Sequence, residues 1–188
     1  MDTRPETTRG AASGARSLDR PVVATLLAWV AMIGVDLFLH AGVLAPLYDW
    51  DSPFLLSPTD AFVRIPAGYL AFGILAAAIV WLLPRLGVRD ARSGATVAGL
   101  AGAVLWGGLV LGLWSISTAD PALLAAWWVG QSAELAIGGA VIGALISGTP
   151  VRTMARRVAG IVVIGLVIAV VLQSIGYAPA PIRLNGDG

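Results

Sequence analysis

The sequence contains no cysteine and no lysine, and the first absence excludes whole classes of chemistry. Without Cys the chain forms no disulfide, no thiolate metal site and no quinone-disulfide redox centre. All 12 basic residues are Arg, a bias that favours a GC-rich bacterial or archaeal genome. The 12 Arg and 11 acidic residues leave a net charge of +1. There is therefore no basic field to attract nucleic acid, and we expect no nucleic acid partner.

Charged residues of both signs are scarce. They make up 12% of the 188 residues, whereas a soluble domain carries about 25%. Hydrophobic residues make up 57%, and several apolar runs are long enough to cross a bilayer. The composition therefore predicts an all-α fold, an integral membrane helical bundle, with little room for a second domain.

The apolar runs predict five transmembrane helices joined by short loops. The expected spans cover residues 21–45, 65–84, 94–116, 121–148 and 158–177. Residues 1–20 are polar and small, which predicts a disordered cytoplasmic tail, and residues 178–188 predict a flexible outer tail. A cleaved signal peptide is the alternative for the first run. However, the run is longer than an h-region of ~7–15 residues, and Asp36 interrupts it.

Two helix starts can be identified from capping residues. Within the outer loop 46–64, Ser57 followed by Pro58 predicts a helix that lies partly in the membrane interface and continues through Pro66 into the membrane. Asp120 followed by Pro121 predicts the start of the fourth helix, directly after a tight turn. The third and fourth helices should therefore form an antiparallel hairpin. Small residues recur every four positions along the third helix, which predicts close packing of helix backbones.

The distribution of Arg predicts the orientation of the chain. In transmembrane proteins, loops rich in Arg and Lys face the cytoplasm. Ten of the arginines fall in alternate segments, which places the N-terminus inside and the C-terminus outside; they are Arg4, Arg9, Arg16, Arg20, Arg85, Arg89, Arg92, Arg152, Arg156 and Arg157. Only Arg64 and Arg183 fall in outer segments. The expected location is the cell (inner) membrane.

Polar residues interrupt two of the apolar helices. Asp36 and His40 are four residues apart on the first helix, and Gln131 and Glu134 are three apart on the fourth, so each pair shares a helix face. From the helical rise, Asp36 lies about 12 Å below the outer end of its helix, Gln131 about 15 Å and Glu134 about 20 Å. We therefore expect Asp36 and Gln131 at one level, Glu134 deeper and His40 near the mouth.

These side chains predict a polar path from the outer surface to the middle of the membrane. Arg64 would stand at its outer rim, with Trp106, Trp127 and Trp128 along its walls. Ionisable groups at membrane depth are costly and usually serve binding or proton transfer. The alternative is structural: the same groups would hydrogen-bond to one another and join two helices, at about 0.6 kcal/mol per bond.

Metal binding and catalysis have less support in the sequence. Asp36, His40 and Glu134 would supply three ligands, but His40 is the only His in the chain, so we expect neither a metal nor a cofactor. Nucleophilic catalysis lacks Cys, and Ser115 and Ser117 have no recognisable base partner. The sequence leaves enzymatic activity undecided and favours a role without catalysis.

Several of these features occur together in a recurring sequence pattern. In that pattern an early helix carries an Asp followed by Leu/Phe-Tyr, and a late helix carries an acid beside Trp. The matching pieces are Asp36, Leu47-Tyr48, Gly68-Tyr69-Leu70, the turn from Ile116 to Asp120, and Trp127 to Glu134. Over residues 22–147 the chain resembles small bacterial predicted multi-pass membrane proteins of unknown function. It departs from them where an Asp-Leu-Thr would end the third helix and Ser117-Thr118-Ala119 stands instead. The resemblance implies a helical membrane bundle and no known activity.

Three hypotheses for function follow. The first is a membrane protein that binds or conducts a proton or small solute through the polar interior. The second is a non-catalytic accessory subunit of a larger membrane complex. The third is a sensor of hydrophobic ligands, because helix count and Trp content also resemble the translocator or tryptophan-rich sensory proteins, although their Trp-Pro and Asn-rich motifs are missing here. The expected partners are the lipid bilayer and, as an open alternative, further copies of the chain or a larger complex.

Overall fold

The computed structural model describes residues 11–48 and 51–178, with the backbone alone for residues 11–19, and this part of the chain is helical with no strand. Five long α-helices follow one another; they are α1 (Ala11–Phe38), α2 (Pro58–Leu82), α3 (Ala91–Ile116), α4 (Pro121–Ile146) and α5 (Val151–Ser174). Between α1 and α2 lie a π-helical turn, Leu39–Val43, and a 3-10 turn, Ala45–Leu47.

Each of the five helices contains a stretch long and apolar enough to cross a membrane. The predicted all-α fold with five spans is therefore confirmed for the described residues, and the chain has the helices of a multi-pass membrane protein.

The start of α1 differs from the expectation, because residues 11–20, placed in a disordered tail, are helical. Ala, Arg and Leu are good helix formers, and the stretch extends an existing helix without a new nucleus. The rest of that tail, 1–10, and residues 179–188 of the outer tail lie outside the described residues.

The capping residues begin helices where the sequence predicted them. The Asp120 carboxylate accepts the backbone N–H groups of Ala122 and Leu123 at 2.8 and 3.0 Å. The Ser57 hydroxyl accepts the backbone N–H of Asp60 at 3.2 Å. One cap was not predicted: Asp90 and Ser93 form a reciprocal capping box. It starts α3 three residues before the expected position.

Successive helices run in opposite directions, and α1 and α4 form the centre of the bundle. The α3–α4 contact is the closest, because the backbones of Gly94 and Gly139 touch and leave no space for a Cβ on either. Gly102 lies against Ser132 in the same interface. On the other side of α1, Gly34 packs against Val162 of α5, with these two helices parallel. The small-residue stripe of α3 thus packs against α4, as predicted.

The bundle has two ends of different composition. The end that carries residues 44–48 and the α3–α4 loop at 117–120 is here called the Tyr48 end. The other end carries the α2–α3 loop at 83–90 and the α4–α5 loop at 147–150, and is called the arginine-rich end. The hydrophobic core cluster lies in the half nearer the arginine-rich end, and its most deeply buried members include Ala28, Met32, Leu83, Ala98 and Ile142. The polar side chains treated below lie in the other half and at its border with this one.

Candidate functional site

The last turn of α1 and the π turn that follows carry Asp36 and His40. The π turn closes through the backbone N–H of Leu44, which donates to the carbonyl of Leu39 at 2.7 Å. From α5, the Gln173 side chain donates to the Ala41 carbonyl at 3.0 Å and so supports this irregular backbone. Single π turns are rare and occur frequently at functional sites. Here the turn carries His40 beyond the regular part of α1.

Helix α4 meets this turn with Gly130, Gln131 and Glu134. The imidazole of His40 lies against Gly130, where an added Cβ would sit 3.4 Å from Nε2. His40 Nε2 is 3.3 Å from Glu134 Oε1 and 3.5 Å from Gln131 Nε2. It is also 3.9 Å from Asp36 Oδ1. One ring nitrogen therefore faces three side chains.

The three side chains Asp36, His40 and Glu134, here called the cluster, each offer a donor atom, and these atoms lie within 4.8 Å of one another. Glu134 is fully buried, whereas the Asp36 and His40 side chains keep 18% and 14% of their exposure. Gln131 and Glu134 are the buried polar side chains among the described residues. The cluster lies at the boundary between the half of the bundle that holds the hydrophobic core cluster and the half nearer the Tyr48 end.

The cluster is short of hydrogen bonds. Neither carboxylate oxygen of Glu134 has a hydrogen-bond partner among the described residues, and the same holds for Gln131 Oε1. The 3.3 Å approach of His40 to Glu134 Oε1 is an ion-pair distance whenever the imidazole is protonated, but the two groups are not aligned as donor and acceptor. Buried polar groups in proteins are normally satisfied, so orphaned oxygens require an explanation.

Two tyrosines that were not predicted as site residues from the sequence complete the arrangement. The Tyr48 hydroxyl lies 2.6 Å from His40 Nδ1 and accepts the indole N–H of Trp127 at 2.9 Å. Burial raises the pKa of Tyr48, so its hydroxyl stays protonated. The Tyr69 hydroxyl, from α2, donates to the Asp36 carboxylate. Both tyrosines stand among the residues that carried the family resemblance.

The other predicted site residues lie in different positions. Trp127 joins the site indirectly, through Tyr48 and by ring contact with Phe54 at 5.9 Å between centroids. Trp106 is half-buried on α3, and no hydrogen bond or ion pair links it to the cluster within the described part of the chain. Arg64 is exposed on α2 and, as far as the described residues show, forms no ion pair with Asp36, His40 or Glu134. Its proposed place at the rim of the path has no contact to support it.

The expected depths need correction for His40. Counting residues from the helix ends placed it near the mouth, above Gln131 and Glu134, but its Nε2 is 3.5 Å from Gln131 Nε2 and 3.3 Å from Glu134 Oε1. The predicted depths assumed that the end of α1 and the start of α4 lie at the same height. Instead the chain turns after Val43, and Tyr48 and Phe54 pack beside Trp127 near the start of α4. The first turns of α4 therefore extend beyond the end of α1.

A cavity of about 310 Å³ lies elsewhere, at the arginine-rich end. Arg20, Leu145 and Val151 are among its lining residues, and none of the cluster residues borders it. It faces the opposite end of the bundle from Tyr48 and has no geometric connection with the cluster.

In comparisons with known proteins, no family model, no curated protein and no solved structure matches the chain. The resemblance to small bacterial membrane proteins therefore stays a prediction, as do the accessory-subunit and ligand-sensor alternatives.

Proposed function

We propose that the protein binds a proton or another small cation at Asp36, His40 and Glu134, inside the membrane. The observation that carries this proposal is the Glu134 carboxylate, which is fully buried, has no hydrogen-bond partner among the described residues and lies 3.3 Å from an imidazole nitrogen. A second carboxylate, Asp36, stands on the other side of that nitrogen. Two negative groups at membrane depth are costly unless positive charge is bound between them.

A purely structural role fits the contacts less well. Polar groups that join helices are expected to satisfy one another, whereas here His40 and Gln131 make one contact at 3.5 Å, the limit of a hydrogen bond, and Glu134 makes none with the described residues. The α1–α4 contact has apolar packing instead, with Met32 and Ala28 against Gly138. The helices therefore meet without help from the Glu134 carboxylate.

Binding is better supported than conduction through the membrane. The cluster has polar neighbours towards the Tyr48 end, namely Tyr48, Trp127 and Gln131. Towards the arginine-rich end it meets the hydrophobic core cluster, in which Ala28, Met32 and Ile142 are almost entirely buried. Among the described residues this half has no buried polar side chain, so a cation entering from the Tyr48 end would stop at the cluster. We therefore place a dead-ended site, not a pore, within the bundle.

The proposal includes an orientation and a location. The positive-inside rule places the arginine-rich end in the cytoplasm, with the N-terminus inside and the C-terminus outside. The Tyr48 end then faces the outer side of a bacterial or archaeal cell membrane, and the site takes its cation from outside.

Infrared spectroscopy of the full chain in lipid nanodiscs tests the proposal. Over a pH titration the wild type should show the carbonyl stretch of a buried carboxylic acid appearing as a proton binds. Glu134→Gln and Asp36→Asn should each remove or shift this band while circular dichroism stays that of a folded helical protein. Asp120→Asn is the matched control, since it exchanges an exposed carboxylate for an amide that also caps a helix. A band that persists unchanged in both cluster variants contradicts the proposal.

A further inference from the structure

We propose that the cluster binds one divalent cation of a first-row transition metal, with Gln131 as an additional oxygen donor. The inference rests on the proposed function, because it names the cation that the same site would hold. A metal site requires a set of donors at suitable spacing, free lone pairs, neighbours that orient the donors, and a balance of charge.

The spacing of the donors fits a single metal ion. Two ligands that lie about 2.1 Å from one Zn²⁺ in a tetrahedral site are separated by about 3.4 Å. The observed separations are 3.3 Å between His40 Nε2 and Glu134 Oε1, and 3.9 Å between His40 Nε2 and Asp36 Oδ1. The third pair of donor atoms, on Asp36 and Glu134, lies within 4.8 Å, so side-chain movements of about an ångström would bring all three atoms to the spacing that one ion requires. No helix would have to move.

The free lone pairs are an independent observation that points to a ligand. Both Glu134 oxygens and Gln131 Oε1 are buried without a hydrogen-bond partner among the described residues. The Gln131 side chain already faces the ring, with Nε2 at 3.5 Å from His40 Nε2. A half-turn of its amide exchanges nitrogen for oxygen and aims Oε1 at the same space. The site then offers one nitrogen and three oxygen donors.

The neighbours of the donors hydrogen-bond to them and so orient them, as the partners of metal ligands commonly do. A metal-binding His usually hydrogen-bonds through its other ring nitrogen, which fixes the ring and the tautomer. His40 does so through Nδ1, which is 2.6 Å from the Tyr48 hydroxyl. The Asp36 carboxylate is held in turn by the Tyr69 hydroxyl. Tyr48 itself is held by Trp127, so residues from the loop and from two helices, α2 and α4, fix the donors.

Charge and ligand type indicate which ion would bind. Two carboxylates and a neutral imidazole carry a charge of −2, so one divalent cation makes the site neutral inside the membrane. Carboxylate and amide oxygens favour hard ions, and imidazole favours zinc, iron and related metals. A chain without Cys cannot offer the thiolates that soft Cu(I) selects. Zn²⁺, Mn²⁺ and Fe²⁺ are the ions that suit one imidazole with two carboxylates.

The test measures binding of Zn²⁺ and Co²⁺ to the full chain in lipid nanodiscs after treatment with chelator. The wild type should bind one Zn²⁺ per chain, and Co²⁺ should give the visible absorption bands of an ion with nitrogen and oxygen ligands. His40→Ala and Glu134→Gln should each weaken Zn²⁺ binding at least a hundredfold and abolish the Co²⁺ bands. Tyr48→Phe, which removes a positioning hydroxyl, should weaken it about ten- to hundredfold. Asp120→Asn should bind as the wild type does.

Failure of this inference is distinguishable from failure of the proposed function. A wild type that shows the buried carboxylic acid band but binds neither ion overturns the metal inference and leaves proton binding standing. A wild type without the band that binds Zn²⁺ through Glu134 supports the metal inference and corrects the identity of the cation. Zn²⁺ binding that His40→Ala leaves unchanged also overturns the inference. If His40→Ala fails to fold, His40→Gln takes its place, and the Co²⁺ spectrum of the wild type gives a readout that needs no variant.

Discussion

At the scale of single residues, Glu134 is the side chain that separates a binding role from a structural one. It lies near the middle of α4, it is fully buried, and its oxygens accept no hydrogen bond from the described residues. A residue kept for stability would be expected to make the contacts that this one lacks. Stability and binding should therefore respond in opposite directions when it is replaced.

Replacing Glu134 with Leu should stabilise the fold and abolish cation binding. Removal of a buried polar group without a partner recovers its desolvation penalty, so we expect the free energy of unfolding to rise by about 1–3 kcal/mol. Reversible unfolding in mixed micelles, followed by circular dichroism, measures the change. Trp127→Phe is the contrasting variant: it removes a satisfied hydrogen bond to Tyr48 and should lower the free energy of unfolding by about 0.5–1.5 kcal/mol. A destabilised Glu134→Leu protein would favour the structural role.

The sequence predicted part of this site, and the reason for its limit is physical. Helical spacing was enough to pair Asp36 with His40 and Gln131 with Glu134, because each pair lies on one helix. It could not supply Tyr48 and Tyr69, since their contacts depend on how the chain folds back after Val43 and on how α2 rotates against α1. Arg64 was expected near the cluster from its sequence position, but the side chain is exposed on α2.

At the scale of elements, the α3–α4 hairpin is the firmest contact of the bundle and holds α4 in place. Its helices approach until backbone meets backbone at Gly94 and Gly139. This part of the fold was predictable, because the four-residue repeat of small residues and the Asp120-Pro121 start are both visible in the sequence. The π turn was not predictable from the sequence, since a single extra residue in a helical turn leaves no periodic signal.

Gly94→Ala should destabilise the hairpin, whereas Gly108→Ala on the same helix should not. A Cβ at Gly94 would overlap the backbone of Gly139, so the helices must separate, which should cost about 1–3 kcal/mol. At Gly108 an added Cβ meets nothing within 4 Å, and the gain in helix propensity should leave stability equal or up to about 1 kcal/mol higher. Unfolding of both variants in the same detergent checks the pair. Equal destabilisation would show that loss of glycine alone, and not the contact, is responsible.

The cap of α3 should make stability depend on pH in acid. The backbone N–H of Ser93 donates to the Asp90 carboxylate and holds the pKa of Asp90 below its ordinary value. A lowered pKa in the folded state stabilises the protein above the unfolded pKa of about 3.9, and this stabilisation is lost as pH falls through the lower folded value. The unfolding midpoints of wild type and Asp90→Ala should therefore differ most near neutral pH and converge below about pH 3. A difference that stays constant into acid would contradict this assignment.

At the scale of the whole molecule, the bundle divides into a polar half and an apolar half that meet at the cluster. The number and order of the helices were predictable from apolar runs, because crossing a bilayer requires about 20 such residues whatever the packing. The division into a polar half and an apolar half was not predictable from the sequence, because it depends on which faces of the five helices turn inward. Its consequence for function depends on which end faces outside.

Single cysteines in this Cys-free chain should reveal the orientation. Thr118 is exposed at the Tyr48 end, and Leu86 is exposed at the arginine-rich end. A membrane-impermeant maleimide should label Thr118→Cys in intact cells and Leu86→Cys only after permeabilisation. Both substitutions leave the charge of the loops unchanged, so each is a control for the other. Labelling of Leu86→Cys in intact cells would reverse the proposed orientation.

If the cluster binds a cation as proposed, the apolar half that closes the bundle below Glu134 would make that binding sensitive to voltage. A cation that enters from the Tyr48 end and stops halfway crosses about half of the transmembrane field. Each elementary charge crossing the full field gains about 2.3 kcal/mol per 100 mV, so a divalent ion at half depth gains about the same amount. In the proposed orientation a membrane potential of about 100 mV, negative inside, would tighten binding by about fortyfold, and loss of the potential would weaken binding by the same factor.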